Sequence, residues 1–426
     1  MKIIIVITHL GGGGAERVGV SLANGLADRG HQVIIATDLN ASGHYFPNDK
    51  VKVVHFVNKA KQSGLKWFLS IFTLRKVFKR EKSDVVIGIM QLCSFVSRIA
   101  SIGMNIPVVM TEHNSFERPA SAPLSKIGYI SKFYLNKLFP LVTVLTQADK
   151  KVIGSKLKNV VVMPNPLALE PVKDMPLKEK IILAAGRLDD WHYKGFDVLI
   201  KAFSKLVQGL RFKVQGPMQP SSEELIVNSE RWKLQIAGTG SEESLNYLKG
   251  LCKENGVEDS VEFLGFQKDI EKLYQKASIF VLSSRYEGFG LVLIEAMSQG
   301  CACIACDYKG RQKEILRSLT PNPSPKGEGE LHTEGCGDAE LETRKSELET
   351  RNSESETQNS HVEVCETGIL CEPDDVDALA EAMRKMMTDD QYRESVRMKA
   401  VERSKYYSLE NTTDRWEYLL NQLVEK

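Results

Sequence analysis

The run Lys2-Ile3-Ile4-Ile5-Val6-Ile7 is unbroken and β-branched after its first residue. A strand with one wet face alternates apolar and polar side chains. A strand that never alternates is buried on both faces, as when helices cover both sides of a parallel sheet. Similar runs return at 84–90, 107–111, 141–146, 181–185 and 277–282, and 261–266 reads as a strand and turn. Helical periodicity falls between such runs, as with Val18, Val20, Leu22, Ala23 and Leu26, which Gly30 closes before the strand from His31 begins. Strand–helix–strand repetition of this kind makes an α/β chain.

At 426 residues the chain exceeds a typical single domain, so two are expected. The break falls at Leu167–Lys180, where Pro171, Pro176 and mixed charge interrupt all periodicity. A first domain over 1–166 and a second over 181–406 follow, with an amphipathic helix at 407–426 left to cross back onto the first. A net charge of +1 gives no bulk attraction to nucleic acid. The initial apolar run is too short for a signal sequence, and no run of about 18 apolar residues occurs, so a cytoplasmic protein without a spanning helix is expected. Of the eight cysteines, Cys301, Cys303 and Cys306 sit in an apolar strand-like run. They read as small buried hydrophobes, with Cys301 and Cys303 on one face and Cys306 on the other.

The stretch from Ser283 to Met297 carries the chemistry. The apolar run 277–282 leads into Arg285-Tyr286-Glu287-Gly288-Phe289-Gly290, and a short helix follows from Leu291 to a terminating Gly300. A glycine-rich turn that opens a helix offers backbone N–H groups and a partial positive charge to an anion. Glu287 and Glu295, eight positions apart, add acceptors suited to ligand hydroxyls. A phosphate cradle flanked by hydroxyl-binding carboxylates is the chemistry of a sugar nucleotide.

Glu287 and Glu295 match the E-x7-E pattern of retaining GT-B glycosyltransferases, and the stretch closely resembles glycosyltransferase family 4. Several other segments resemble the same family. Gly11-Gly12-Gly13-Gly14-Ala15-Glu16-Arg17 is similar to its first loop, and Gly186-Arg187 with Lys194-Gly195-Phe196-Asp197 is similar to its phosphate clamp. The resemblance implies two Rossmann-like domains facing across a cleft, and transfer of a hexose or N-acetylhexosamine from a nucleotide sugar, UDP-linked rather than GDP-linked. It implies that Glu287 fixes the donor sugar, Glu295 the ribose, and Arg187 and Lys194 the diphosphate, with His113 beside the sugar. Gly13, Gly14, Gly238, Gly240, Phe263, Leu264, Gly288, Phe289, Gly290 and Leu291 are implied to line the donor pocket. No Asp-x-Asp metal site is visible near these motifs, so the expectation is a metal-independent enzyme without a cofactor. A catalytically silent nucleotide-sugar-binding scaffold is the alternative, as is a phosphorylase or epimerase of the same fold.

The acceptor implied is a hydroxyl of a glycan or polyprenyl-linked glycan in cell-surface polysaccharide or lipopolysaccharide assembly. The basic, aromatic stretch Lys59–Arg80 suits either an anionic membrane surface or a helix packed on the sheet with a solvated basic face, and the similar stretch Lys126–Phe139 suits a second membrane surface or an acceptor surface. Contact with the inner face of the cell membrane is therefore an open extension. The segment 318–363 is rich in Glu, Ser, Thr, Pro and Gly and repeats Glu-Leu-Glu-Thr-Arg. It has too little apolar surface to order itself and departs from the family pattern, so it reads as a disordered insertion in a surface loop. Arg211–Arg231 reads as a second inserted loop or hairpin.

Overall fold

A computed structural model describes residues 1–11, 13–38, 45–57, 65–119, 123–214, 232–317 and 362–425, with the side chains of Val57, of 65–68 and of 208–214 also outside the description. Two seven-stranded sheets are the frame. The first is built from β1 (Lys2–Val6), β2 (Gln32–Asp38), β3 (Lys52–Val57), β4 (Val85–Ile89), β5 (Val108–Thr111), β6 (Leu141–Val144) and β7 (Val160–Val162), in the order β3-β2-β1-β4-β5-β6-β7. The second is built from β8 (Glu179–Ala185), β9 (Lys233–Ala237), β10 (Val261–Gly265), β11 (Ala277–Leu282), β12 (Ala302–Cys306), β13 (Val362–Cys365) and β14 (Gly368–Cys371), in the order β10-β9-β8-β11-β12-β14-β13. Every pairing is parallel except β13 with β14. In both sheets the order reverses beside the first strand, so the strand ends diverge there and open a crevice at their carboxyl edge. This is the GT-B arrangement of two Rossmann-like domains.

The unbroken apolar runs are explained by burial on both faces. Ile4 and Val6 join one core cluster, and Ile3 and Ile5 join the cluster on the opposite face. In the second sheet Ile182 and Ala184 face one way while Ile181, Leu183 and Ala185 face the other. Cys301 and Cys303 pack together in one cluster and Cys306 lies in the other, and all the described cysteines are buried and unbridged.

The helix Leu409–Val424 leaves the second domain and lies against the first. Trp416, Leu419 and Leu420 enter the cluster that holds Ile3 and Ile5. Arg29 reaches Asp414 and Glu417, and the His31 ring meets Glu417 at 2.8 Å. Ser408 begins this helix, its hydroxyl accepting from the Asn411 amide at 3.2 Å. Replacing an N-cap serine by alanine typically costs about 1 kcal/mol. Ser408→Ala should lower the unfolding free energy by that amount, read as a lower urea midpoint at constant slope, and an unchanged midpoint would show that the cap contributes nothing.

Residues 318–361, most of the expected insertion, lie outside the described residues. Its last two positions do not belong to it. Val362 and Glu363 start β13, where Glu363 accepts from Lys313 at 2.6 Å and from Arg317 at 2.8 Å. These cations follow β12 in sequence, so nothing local marks Glu363 as ordered. The expected loop at Arg211–Arg231 begins later than read, since the helix Phe196–Val214 includes its first residues; 215–231 lie outside the described residues.

Candidate active site

The site is made where the loops after β8 and β11 meet. Gly195 has φ +64°, and a Cβ there would lie 1.9 Å from the Ser283 carbonyl oxygen, so only glycine lets the two loops touch. The contact is stitched further: the Ser283 hydroxyl donates to the Lys194 carbonyl at 2.8 Å, and the Arg285 amide to the Tyr193 carbonyl at 2.9 Å. Arg285 grips Asp197 through two bonds of 2.7 and 2.8 Å and also reaches Asp374. Such a fork holds the loop in one geometry. Its partners stand 88 and 89 positions away, and no local pattern marks it as a brace.

This frame brings two of the expected residues together. Lys194 donates to the Glu287 carboxylate, which the Ser284 hydroxyl also reaches at 3.1 Å. Both side chains are half-buried. Arg187 stands apart: its guanidinium pairs with Asp190 at 2.7 Å and its side chain is 81% exposed. Four of the expected glycines are packing or turn positions. Gly238 passes so close to Gly186 that a Cβ would meet its carbonyl oxygen at 1.8 Å, and at Gly240 a Cβ would meet Leu188 at 2.7 Å. Gly290, at φ +91°, opens the helix Leu291–Ser298. A Cβ on Gly288 would meet the His113 carbonyl oxygen of the other domain at 2.9 Å.

From the first domain, Gly13 precedes and Gly14 begins the helix Gly14–Asp28. A Cβ on Gly14 would lie 3.2 Å from the Leu291 side chain, which places this loop against the glycine-rich turn of the second domain. The Arg17 guanidinium donates to Glu295 across the cleft. Glu295 is almost wholly buried, and its other oxygen accepts from the Tyr274 hydroxyl at 3.2 Å. Burial pushes the Glu295 carboxyl up, against the pull of Arg17 and the Tyr274 hydroxyl. Arg17 lies in the glycine-loop motif, but its partner is 278 positions away, and Tyr274 reads in sequence only as part of a short helix.

His113 ends in a fixed setting. Its ring nitrogens lie 2.9 Å from the Thr111 hydroxyl and 3.0 Å from the Asn165 side-chain oxygen. Nδ1–H donates to Asn165, and Nε2 faces the Thr111 hydroxyl, which also reaches the Gly88 carbonyl at 3.1 Å. Burial pushes its pKa down to about 4, so the ring is neutral at pH 7. Lys132, read as part of a basic surface, is buried and pairs with Glu112 at 3.2 Å beneath this loop. Phe289 packs inward, edge-on to Tyr407 at 5.6 Å, so its side chain serves the core. Phe263 and Leu264 are partly buried against the two core clusters of their domain. Among the described residues no group of three or more His, Cys, Asp or Glu is placed to hold a metal ion.

Comparison with known proteins fits this geometry. The model of the family described as Glycosyltransferase Family 4 matches residues 12–170, and that of Glycosyl transferases group 1 matches 168–320. The chain is 30% identical over 321 residues to an uncharacterised glycosyltransferase of Haemophilus influenzae, covering 74% of this chain and 83% of that protein. It is 28% identical over 330 residues to a Campylobacter jejuni enzyme named as the α-1,4-N-acetyl-D-galactosaminyltransferase of GalNAc-α-(1→4)-GalNAc-α-(1→3)-diNAcBac-PP-undecaprenol, covering 74% of this chain and 82% of that one. Among solved structures, Anabaena HepE in complex with UDP-glucose superposes with a TM-score of 0.66 at 17% identity, covering all of both chains.

Proposed function

The chain belongs to the group 1 glycosyltransferases, and we propose that it moves a hexose or N-acetylhexosamine from a UDP-sugar to a hydroxyl of a glycan or lipid-linked glycan, with retention at the anomeric carbon. The observation that carries this reading is the Lys194–Glu287 pair, held by the Ser283–Lys194 stitch beside the start of the helix Leu291–Ser298. A cation, a carboxylate and a helix start in one place suit a sugar diphosphate. The UDP-glucose complex of HepE and the undecaprenyl-linked substrate named for the Campylobacter relative favour the uridine donor and the lipid-linked acceptor.

In this mechanism the bond from the anomeric carbon to the diphosphate oxygen breaks, and negative charge collects on the leaving diphosphate. Lys194, Arg187 and the helix-start amides meet that charge without a metal ion. Glu287 orients the donor sugar through its hydroxyls, and Glu295 holds the ribose. The His113 ring, neutral and fixed by Thr111 and Asn165, packs beside the sugar as a hydrogen-bonding surface rather than a proton donor. A thermal-shift panel of UDP, GDP and ADP sugars tests the donor class. A ligand at one hundred times its Kd stabilises by about 2.7 kcal/mol. The expected result is a rise in Tm with uridine sugars; no rise with any nucleotide would overturn the reading.

The membrane contact is proposed at the helix Lys126–Phe133 and the turn after it. Ile127, Ile130, Tyr134 and Leu138 are exposed there, with Lys126 and Lys137 among them. Apolar side chains ringed by lysines match an anionic bilayer, where a polyprenyl-linked acceptor would be held. No helix among the described residues is long and apolar enough to cross a membrane. Liposomes containing phosphatidylglycerol should float the protein at low salt and release it at high salt, and Ile127→Glu with Ile130→Glu should abolish flotation. Equal flotation of that variant would remove this surface from the account.

A further inference from the structure

The two domains touch through contacts of unequal character. The helices after β6 and β12, Gln147–Ile153 and Arg311–Leu316, are joined by the Arg311–Asp149 pair at 2.8 Å, with both side chains buried. Beside it, the Glu314 carboxylate accepts from the Gln147 and Ala148 amides at 2.8 and 2.6 Å. Closer to the middle of both sheets, beyond β1 and β11, Gly14 packs by Leu291 and Gly288 by the His113 carbonyl, and the charged contact is the Arg17–Glu295 pair, whose arginine is 23% exposed.

Glu295 is also the carboxylate to which the proposed function gives the ribose. Both its oxygens are occupied, one by Arg17 and one by the Tyr274 hydroxyl, and its side chain is 2% exposed. A carboxylate that grips a vicinal diol turns its oxygens to the two hydroxyls. With the carboxylate 2% exposed and Arg17 bonded to it, a diol has no open approach to the two oxygens. We propose that the Arg17–Glu295 ion pair is an interdomain latch that competes with the donor's ribose, so that nucleotide binding and the latch exclude one another. Arg17 is thus an antagonist of donor binding. It sets the donor affinity from the opposite domain without being part of the donor-holding set. Once the ribose takes Glu295, the guanidinium is released.

This inference rests on the assignment of Glu295 to the ribose, and the test separates the two. The measurement is calorimetric binding of UDP to the full chain and to Arg17→Ala, Glu295→Gln and the double variant. Removing a partly exposed ion pair is expected to tighten UDP binding about fivefold in Arg17→Ala. Glu295→Gln should weaken it, and in the Glu295→Gln background Arg17→Ala should change nothing, because the latch is already gone. Arg17→Gln, which keeps a donor but no charge, should fall between the wild type and Arg17→Ala. Weaker UDP binding by Arg17→Ala would overturn the latch and place Arg17 in the donor site. An equal gain from Arg17→Ala in both backgrounds would also overturn it. Normal UDP binding by Glu295→Gln would instead remove the ribose assignment on which the latch depends.

Discussion

Replacing Lys194 by alanine is expected to lower kcat by roughly 100- to 1,000-fold, the usual loss when one preorganised group that meets transition-state charge is removed. The reason lies in timing. The diphosphate carries more charge at the oxygen that leaves as the glycosidic bond breaks than it does in the bound donor, so a cation aimed there acts more on kcat than on donor affinity. Lys194 is fixed for the task by backbone, not by its own rotamer: Gly195 permits the turn, and the Ser283 hydroxyl holds the Lys194 carbonyl. Its ammonium group is neutralised by Glu287. Lys194→Ala therefore frees Glu287 as well, and Glu287→Gln should impair transfer separately by weakening the hold on the donor sugar. Unchanged circular dichroism and Tm would confirm that the loss is chemical. Arg187→Ala should show a loss of the same kind, although its side chain faces solvent. Addition of EDTA should change neither the wild type nor the variants. A Lys194→Ala enzyme with near-normal kcat, or a wild type silenced by EDTA, would contradict the clamp.

The largest effect on stability is expected at the buried pair between the domains. Arg311 is wholly buried in its side chain, and its counter-charge is Asp149. Asp149 also accepts from the Phe116 amide at 2.8 Å and the Thr146 hydroxyl at 2.8 Å. Asp149→Ala leaves a guanidinium with no charge opposite it in a place water does not reach, and breaking such a pair from one side typically costs about 3–5 kcal/mol. Arg311→Leu should cost less, because the carboxylate keeps its amide and hydroxyl donors. The double variant should lose less than the sum of the two, as expected for residues in contact. Urea-unfolding midpoints read all three. Equal small losses from both single changes would show that the pair carries little of the interdomain attachment.

The parts of this molecule that can be read from sequence are those with a local signature. The apolar run at Ile3–Val6 announces burial on both faces, and each of those residues is buried. The phosphate-clamp and E-x7-E motifs place Lys194 and Glu287 in loops that do meet. What was not legible is carried by pairs remote in sequence. Arg17 with Glu295, Arg285 with Asp197 and Arg311 with Asp149 stand 278, 88 and 162 positions apart. No periodicity links such residues, because what joins them is the docking of one domain on another. Lys132 shows the converse: it reads as one lysine in a basic stretch, yet the loop at Glu112 buries it. Phe289 sits inside the donor motif, but its ring turns to Tyr407 because the loop must be anchored to the core to hold its shape. Gly288 beside His113 likewise shows a motif position chosen for close approach across the cleft.

The central claim is that this cleft transfers a glycosyl unit from a uridine diphosphate sugar with retention. It is tested most directly by incubating the chain with UDP-N-acetylgalactosamine or UDP-glucose and an undecaprenyl-diphosphate-linked glycan, then determining the anomeric configuration of the product by NMR. The account predicts one UDP released for each sugar transferred and an α-linked product from the α-linked donor, with both lost in Lys194→Ala. A β-linked product would contradict retention, and UDP released with no sugar transferred to any glycan hydroxyl would contradict the transferase reading itself.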